Sequence, residues 1–598
     1  MPMAETIPGL FLRQAAHLAR QPLFFVKRQG SYQPITWQEA FEDVEALSYF
    51  LLHQQVAPGD RMVILSENRP EWAIADLAIQ SVGAWTVPLY PSLLAHDIET
   101  ICRDCQPVLG IASNADQVSK LLEISQRITS LRYVITLDAG QQPHPQRLEW
   151  AHVLAQGREQ APTLRDQLKQ RRSRIQPTDI ATLIYTSGTT GEPKGVMLSH
   201  SNFLSNVEAC LHVIPVSSTD LHLSFLPLCH VFERMAGWYL MLSAGAAVAY
   251  AENMETISAN MLEIHPTVML GVPRFFEKLY ARIQEGLRQA PPLKRRLAEW
   301  AIRVGRSSAA ADPARPLPLS LSLQRAIADR LVYHKLKEKF GGRLRFFVSG
   351  GAALSKDIGE FFYSIGVTIL EGYGLTETSP VIAVNQLPRP RFGSVGRVVD
   401  GVEVRIADDG EILSRGPHIM QGYYQKPDTT AAVMTEGWFH TGDIGHLDHD
   451  GYLFITDRKK DLIKTAGGKF VAPQKLEGLF ITDPSISQVF VYGEKQPYCV
   501  ALIVPNVDQL RRYAQEQEIA ARSLQELARD PRVLEWYWNR IQAKQTGLAS
   551  FEQVKKIALL DQEFSQASGE LTPTLKAKRT VIAQKYESLL RSLYHTSA

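Results

Sequence analysis

The chain is short of cysteine, of net charge and of long apolar runs, and each shortage narrows what it does. Five cysteines are spread over 598 residues, too few for a disulfide framework and in keeping with a reducing compartment. Cys102 and Cys105 form one C-x-x-C, but no second pair follows at zinc spacing. On a helix the two share a face and read as ordinary, partly buried thiols. Cys210, Cys229 and Cys499 stand alone, and no His/Cys cluster points to a structural metal. Lysines and arginines number 64 and acidic residues 62, a net charge of +2, which argues against nucleic acid as a partner. No apolar run has the length of a membrane span; Tyr239 to Ala251 is too short and rich in Ala and Gly. The start, Met1 to Leu12, carries Glu5 and lacks a basic segment followed by an apolar block. No secretory signal is read there, and a cytoplasmic location is expected. Repeats and low-complexity tracts are also missing.

What is present is a folded composition, 45% hydrophobic and 21% charged, in a chain long enough for roughly two to four domains. Its most informative segment is Thr186-Ser187-Gly188-Thr189-Thr190-Gly191-Glu192-Pro193-Lys194-Gly195, just after an apolar stretch, Ile180 to Tyr185, that predicts a buried strand. The glycines let the backbone bend, and hydroxyls with freed N–H groups make a cradle for phosphate oxygens. Lys194 adds a positive charge at the same place. The common P-loop is excluded: Gly195, not Ser or Thr, follows the lysine, so its Mg²⁺-binding hydroxyl is missing.

From Ile35 to about Val134, helical patterns alternate with short β-rich runs, which predicts an α/β domain with a largely parallel sheet. Trp37 to His53 reads as a helix, Arg61 to Leu65 as a strand, Leu77 to Val82 as a helix and Thr86 to Leu89 as a strand. A basic stretch, about 282–340, reads as two helices joined by a Pro-rich loop. It is either a solvated insertion or a patch for anionic lipid or an acidic carrier protein. From Gly393 the texture changes to short strands and turns, with Asp408-Asp409-Gly410 and His449-Asp450-Gly451 as turn signals. The charged run Asp457-Arg458-Lys459-Lys460-Asp461 marks the main domain boundary.

Further motifs follow the glycine-rich loop. The predicted strand Thr368 to Leu370 ends at Glu371-Gly372-Tyr373-Gly374, then Leu375-Thr376-Glu377. An aromatic ring there can stack on a purine, Thr376 can bond a phosphate, and Glu377 is an oxygen ligand suited to Mg²⁺. In Thr441-Gly442-Asp443 the carboxylate can accept from two ribose hydroxyls, or cap a turn. In this order the motifs resemble the adenylate-forming enzymes, a family that includes acyl-CoA synthetases, firefly-type luciferases and peptide-synthetase adenylation domains.

That resemblance implies a large N-terminal domain of parallel-sheet α/β subdomains with a small β-rich subdomain, and a smaller, mobile α+β C-terminal domain. The implied ranges are 1–456, with the insertion at about 282–340 and the β-rich part at about 393–456, a hinge at 457–461, and 462–598. It implies that Thr186 to Gly191 and Lys194 bind the β- and γ-phosphates and that Gly351 and Ala352 border the adenine. Tyr373 stacks on it, within a nucleotide-binding run that includes Glu371, Gly372, Gly374 and Thr376. Thr186 and Glu377 are the implied Mg²⁺ ligands, Asp443 and Arg458 the ribose contacts, and Lys460 the hinge. A catalytic lysine falls in Gly569 to Arg579; where most members carry Ser-Gly-Lys, this chain has Thr574-Leu575-Lys576. That leaves Lys576 and Lys578 as alternatives, with Lys576 preferred. ATP, Mg²⁺ and CoA are the implied cofactors and co-substrate.

Leu226-Pro227-Leu228-Cys229-His230-Val231-Phe232-Glu233-Arg234 and Gly271 to Leu279 resemble segments of the long-chain acyl-CoA synthetases. So does the ending around Leu571-Thr572-Pro573. The branch implies a long-chain fatty acid as substrate, with His230 bordering its carboxylate. Gly467 and Gly468 would let a pantetheine arm pass the backbone. Trp238 to Leu242 either line an acyl channel or fill a helix core. The amino-acid-activating branch carries an Asp near this segment for the substrate amine; no obvious equivalent stands beside His230 and Val231, and Glu233 is close enough to keep the question open. An acyl carrier protein is the alternative acceptor, and peripheral contact with the inner membrane face fits a substrate that partitions into bilayers.

Overall fold

The structure is a computed structural model that describes residues 5–140, 143–187, 192–310, 318–388, 390–520, 523–566, 568–572 and 576–595. Gly188, Thr189, Thr190 and Gly191 lie outside the described residues, as does the side chain of Ser187. Among the described residues the strands form two large sheets, of nine and eight strands, and three smaller ones.

The eight-stranded sheet grows from the alternation read in the sequence. Arg61–Leu65 lies between Trp85–Leu89 and Leu109–Ala112, parallel to both, and Tyr133–Thr136 continues the sheet in parallel. Helices Pro70–Ser81 and Ala95–Cys105 are among the crossovers, as parallel pairing requires. Ile180–Ser187 joins Trp85–Leu89 in parallel, then turns back through Pro193–Ser199 as an antiparallel hairpin. The nine-stranded sheet is parallel from Pro22–Arg28 to Ile369–Gly374, with antiparallel strands at both edges. This is the α/β class that the sequence predicts.

One apolar core joins both large sheets and the helices between them, with Trp37, Trp72 and Trp238 fully buried in it. Helix Trp37–His53 begins at Thr36, whose hydroxyl accepts from Glu39 N–H while the Glu39 carboxylate accepts from Thr36 N–H. It crosses helix Trp150–Arg174 at Gly157, where an added Cβ would lie 1.8 Å from the Ala46 carbonyl oxygen. Glu403–Ile406 to Leu453–Arg458 form a five-stranded antiparallel sheet. Beyond it Ile486–Tyr492, Cys499–Pro505 and Val554–Leu559 build a three-stranded sheet. Separate cores, one around Leu476, Ile503 and Tyr537, support it.

One reading changes and one open alternative is decided. The basic region holds three helical stretches, not two. The first, Pro273–Gln289, begins before the basic run; Pro292–Ala310 follows, then Leu319–Ala328, which continues through a π turn at Asp329–Tyr333 into His334–Glu338. Pro291 and Pro292 separate the first two because proline lacks the N–H that helix continuation needs. Trp238 to Leu242 fill the core: the Trp238 ring packs on Phe24 and Tyr239 on Phe203. All five cysteines are buried. Burial pushes the Cys102 thiol up to about 12, so the C-x-x-C is structural. No helix among the described residues is long and apolar enough to cross a membrane.

Candidate active site

The hairpin Ile180–Ser187/Pro193–Ser199 sets Thr186 opposite Lys194 at its open end. Strand Gly422–Tyr423 pairs along its outer edge, Tyr423 beside Val196. Lys194 Nζ thereby sits 5.3 Å from the centre of the Tyr423 ring, and the Tyr423 hydroxyl donates to Glu377 Oε1 at 2.8 Å. Glu377 is carried by the 3₁₀ turn Thr376–Thr378, just past strand Ile369–Gly374. Met420 N–H donates to its carbonyl at 2.9 Å. Gly374 is obligatory at this exit: a Cβ there would lie 1.6 Å from the Pro380 carbonyl oxygen. Thr186, Lys194 and Glu377 thus meet at one corner. No signal in the sequence marks Tyr423, which lies more than 200 residues from its hairpin partner Val196.

Tyr373, on the same strand, is buried and donates its phenolic hydrogen to Asp443 Oδ2 at 2.7 Å. Asp443 pairs in register with Arg458 across the antiparallel strands Trp438–Leu447 and Leu453–Arg458. Arg458 Nε stands 3.1 Å from Asp443 Oδ1. Burial raises the Asp443 pKa against the opposing pull of Arg458 and Tyr373. Behind Tyr373, the buried Glu371 accepts from Leu354 N–H at 3.0 Å, and burial pushes its pKa up to about 8. That bond fixes the loop holding Gly351, at φ +84°, and the exposed Ala352. Gly350, next in line, lies against the Phe232 ring, 3.0 Å from where its Cβ would be.

His230 enters from the segment before the π turn Glu233–Tyr239. Asn68 clamps that segment, donating to Leu226 O at 2.6 Å and Ser224 Oγ at 2.9 Å and accepting from Leu228 N–H at 2.9 Å. Phe232 N–H donates to His230 Nδ1 at 3.2 Å, so the neutral ring carries its proton on Nε2. Burial, then repulsion from Lys576, lowers the His230 pKa to about 4. Glu233 does not wait for an amine: it is fully buried and accepts from Ser224 Oγ at 2.6 Å, with His222 Nε2 at 2.8 Å. Arg234, also fully buried, binds Asp76, Thr182 and Tyr239, tying the π turn to helix Pro70–Ser81 and to the strand that ends at the glycine-rich loop.

Lys576 comes from the far end of the chain. Thr572 N–H donates to Lys576 O at 2.8 Å and Lys576 N–H to Thr572 Oγ1 at 3.0 Å, which fixes the lysine's backbone to Thr572. The cleft walls strip water from its ammonium and Arg458 repels it, lowering the pKa to about 8, while Asp443, Glu377 and Asp461 pull the other way. The residue keeps access to water, so this desolvation is that of a crowded but open cleft. Lys578 instead leads into helix Arg579–Lys585, its N–H donating to Glu570 O at 2.7 Å. The structure therefore brings Thr186, Lys194, Glu377, Tyr373, Asp443, Arg458, His230 and Lys576 around one cleft. It does not bring Gly467 and Gly468, which sit at the turn of a hairpin where a Cβ would meet nothing within 4 Å. Lys460 follows Arg458 in the turn that leaves the five-stranded sheet.

Among the described residues no three or more His, Cys, Asp or Glu gather as a metal site. A single carboxylate, Glu377, fits Mg²⁺, which takes one or two protein carboxylates and fills its shell with phosphate oxygens and water.

Residues 11–424 match the family model of AMP-binding enzymes, and residues 460–598 that of the AMP-binding enzyme C-terminal domain. The chain is 37% identical over 574 residues to long-chain-fatty-acid–CoA ligase FadD15 of Mycobacterium tuberculosis, covering 95% of this chain and 93% of that protein. It is 33% identical to peroxisomal long chain acyl-CoA synthetase 6 of Arabidopsis thaliana over 94% of this chain and 82% of that one. Its fold is similar to the adenylation domain of a carboxylate reductase from Mycobacterium chelonae (TM-score 0.75, 24% identity, covering 99% and 91% of the two chains). The anthranilate CoA ligase AuaEII is similar in fold, with a TM-score of 0.74, 18% identity and 99% of each chain covered. With two family models spanning most of its length and relatives matched nearly end to end, the chain belongs to the AMP-binding, adenylate-forming enzymes.

Proposed function

We propose that this cleft joins a long-chain fatty acid to CoA in two steps, with AMP and pyrophosphate as products. Family membership and the long-chain ligases among its relatives carry the overall activity. The observation that carries the residue roles is the position of Lys576, whose charge is felt by Asp443, Glu377 and His230 together.

In the first step a fatty carboxylate oxygen attacks the α-phosphorus of ATP, and the bond to pyrophosphate breaks. Holding the reacting groups in line and neutralising their oxygens does most of the work. Lys576 neutralises the α-phosphate and carboxylate oxygens; Thr186 and Lys194 hold the outgoing phosphates. Asp443, kept in place by Tyr373 and Arg458, accepts from the ribose hydroxyls, and the Tyr373 ring packs on the adenine. Glu377 would hold Mg²⁺, which supplies further positive charge to the phosphate oxygens. His230, neutral with its proton on Nε2, donates a hydrogen bond to the carboxylate end and takes no proton.

In the second step the CoA sulfur bonds to the acyl carbon and AMP leaves. A CoA thiol ionises appreciably near neutral pH, so no dedicated base is assigned. Lys459 is held by Glu411 of the five-stranded sheet and by Asp409 of the turn before it, and Asp461 accepts from Gln474 of the next helix. Lys460 lies between these anchors, and rotation there would exchange Lys576 for Gly467 and Gly468 at the cleft. The domain ranges are accordingly 1–456 and 462–598 about a hinge at 457–461. A peripheral contact with the inner membrane face suits the substrate, which partitions into bilayers.

Mass spectrometry of one mixture containing Mg·ATP, CoA and free acids from acetate to long-chain tests this reading. Long-chain acyl-CoA with equimolar AMP is expected. Acyl-AMP without thioester would assign a carrier protein as acceptor; ADP in place of AMP would overturn the mechanism.

A further inference from the structure

Among the described residues, twelve large hydrophobic side chains are exposed, and six of them lie on two neighbouring helical stretches. Leu293 and Leu297 are on helix Pro292–Ala310. Leu319, Leu323, Ile327 and Leu331 are on the long helical run that begins at Leu319. Leu319 is 90% exposed, Leu293 82% and Leu323 64%. The spacing is four residues throughout, so each set forms a stripe on one helix face. Single exposed leucines are ordinary, but exposed apolar side chains repeating along helix faces mark a contact surface.

These stripes are not the faces that hold the helices in place. Helix Pro292–Ala310 buries Ala298, Ala301, Val304 and Ser308, and Gly305 lies so close to helix Lys356–Ser364 that a Cβ would sit 1.9 Å from Ser364 O. The second run buries Ala328 and Tyr333, whose hydroxyl donates to Ala301 O at 2.5 Å. The inner faces are complete without the leucines.

The charge around the stripes is predominantly positive. Residues 292–310 and 318–339 carry ten lysines and arginines against three carboxylates, Glu299, Asp329 and Glu338. Lys294, Arg295 and Arg296 lie between Leu293 and Leu297. Arg325 and Arg330 lie among the other four, and all five basic residues are exposed. In a chain with a net charge of only +2, this is a local concentration. Long basic side chains reach past apolar ones to an anionic layer while the leucines enter the acyl region.

We propose that these two helices are the surface by which the protein docks on an anionic lipid bilayer. The inference rests on the fatty-acid reading of the cleft for its purpose, not for its evidence. The preceding helix, Pro273–Gln289, starts right after Val272, whose side chain lies 3.9 Å from where a Cβ on Gly351 of the cleft would be. Its 17 residues span roughly 25 Å, and helix Pro292–Ala310 then follows and packs its Gly305 against Ser364. A fatty acid leaving the bilayer would meet the enzyme on the side where that helix leads to the cleft.

The test is co-sedimentation of the full chain with vesicles of phosphatidylglycerol and phosphatidylcholine, or of phosphatidylcholine alone, without ATP or fatty acid. Binding to the anionic vesicles, weakened by salt, is expected. Each of Arg295→Glu and Arg296→Glu should lower affinity at least about fivefold at low salt. Leu319→Asp with Leu323→Asp should lower it more than about tenfold. Unchanged melting, and unchanged pyrophosphate release with a soluble medium-chain acid, confirm that the variants fold. No binding by the parent chain, or equal binding by the variants, overturns the proposal. So does a dimer in light scattering that the leucine variant dissolves, which would assign the patch to a second copy. Pyrophosphate release is measured without vesicles, so failure of docking and failure of the substrate reading remain separate results.

Discussion

Tyr373 donates its phenolic hydrogen to Asp443 across 2.7 Å, from a strand of one sheet to a strand of another. The ring assigned to the adenine thus also orients the carboxylate assigned to the ribose. Tyr373→Phe keeps the ring and removes the bond. We expect the KM for ATP to rise about tenfold, the effect of one hydrogen bond to a charged group, with kcat nearly kept. The bond favours the ionised carboxylate, so its loss raises the Asp443 pKa further. The acid limb of kcat/KM should move to higher pH. An unchanged limb with unchanged KM would remove Asp443 from nucleotide binding.

Lys576 gives a second pH dependence of opposite sign. Its ammonium is the working form and its pKa is lowered to about 8, so kcat/KM for adenylation should fall as pH rises through that value. Lys576→Arg keeps the charge and should carry the fall out of range. Lys576→Ala should cut adenylation by roughly a hundredfold or more while sparing thioester formation from supplied acyl-AMP. Equal loss in both half-reactions would refute the assignment.

Tyr423→Phe separates the Mg²⁺ corner from the rest. It releases Glu377 from its hydroxyl partner and leaves the ring beneath Lys194. The Mg²⁺ concentration for half-maximal rate should rise about fivefold, the usual weight of one hydrogen bond, with the saturated rate nearly unchanged. A titration of initial rate against Mg²⁺ reads this directly; identical curves for parent and variant would count against Glu377 as a ligand.

Glu371 makes stability depend on pH. Its carboxyl has a pKa near 4.5 when unfolded and about 8 in the fold. Its neutral form therefore contributes fully only below about 4.5, and that stability is lost as pH rises through about 8. Glu371→Gln keeps an acceptor for Leu354 N–H without the charge. Denaturant midpoints should decline with pH in the parent and less steeply in the variant, with the variant more stable at the alkaline end. Parallel pH profiles would show that Glu371 is ionised in the fold.

The parts legible in the sequence are those whose chemistry is local. The strand–loop–Lys194 pattern, the Tyr373–Glu377 run and the alternation that builds the parallel sheets each depend on neighbours in the chain. Tyr423 was not legible, because only strand pairing across more than 200 residues sets it beneath Lys194. Nor was Asn68, which holds the His230 segment from 158 and 160 residues away. Trp238 to Leu242 were ambiguous for another reason: an apolar run has the same composition whether it faces a ligand or a core. The basic region reads as two helices in the sequence and holds three helical stretches in the fold, because Pro291 and Pro292 separate the first two. The same region shows how much exposure adds, since its sequence marks a basic insertion and only the fold sets Leu293, Leu319 and Leu323 in solvent.

The buried pair Asp76–Arg234 sets a division of labour between folding and catalysis. Arg234 reaches Thr182, on the strand that carries Thr186, and stands one helical turn past His230. Both carriers close on one fully buried ion pair, whose rupture costs about 3–5 kcal/mol. The spacing between the triphosphate end and the carboxylate end is therefore established when the chain folds, not when substrates arrive. Alignment is a property of the large body of the molecule, and the decisive charge is brought to it by Lys576 from the last part of the chain. Timing can then be governed by that one ammonium without disturbing the distances it acts across.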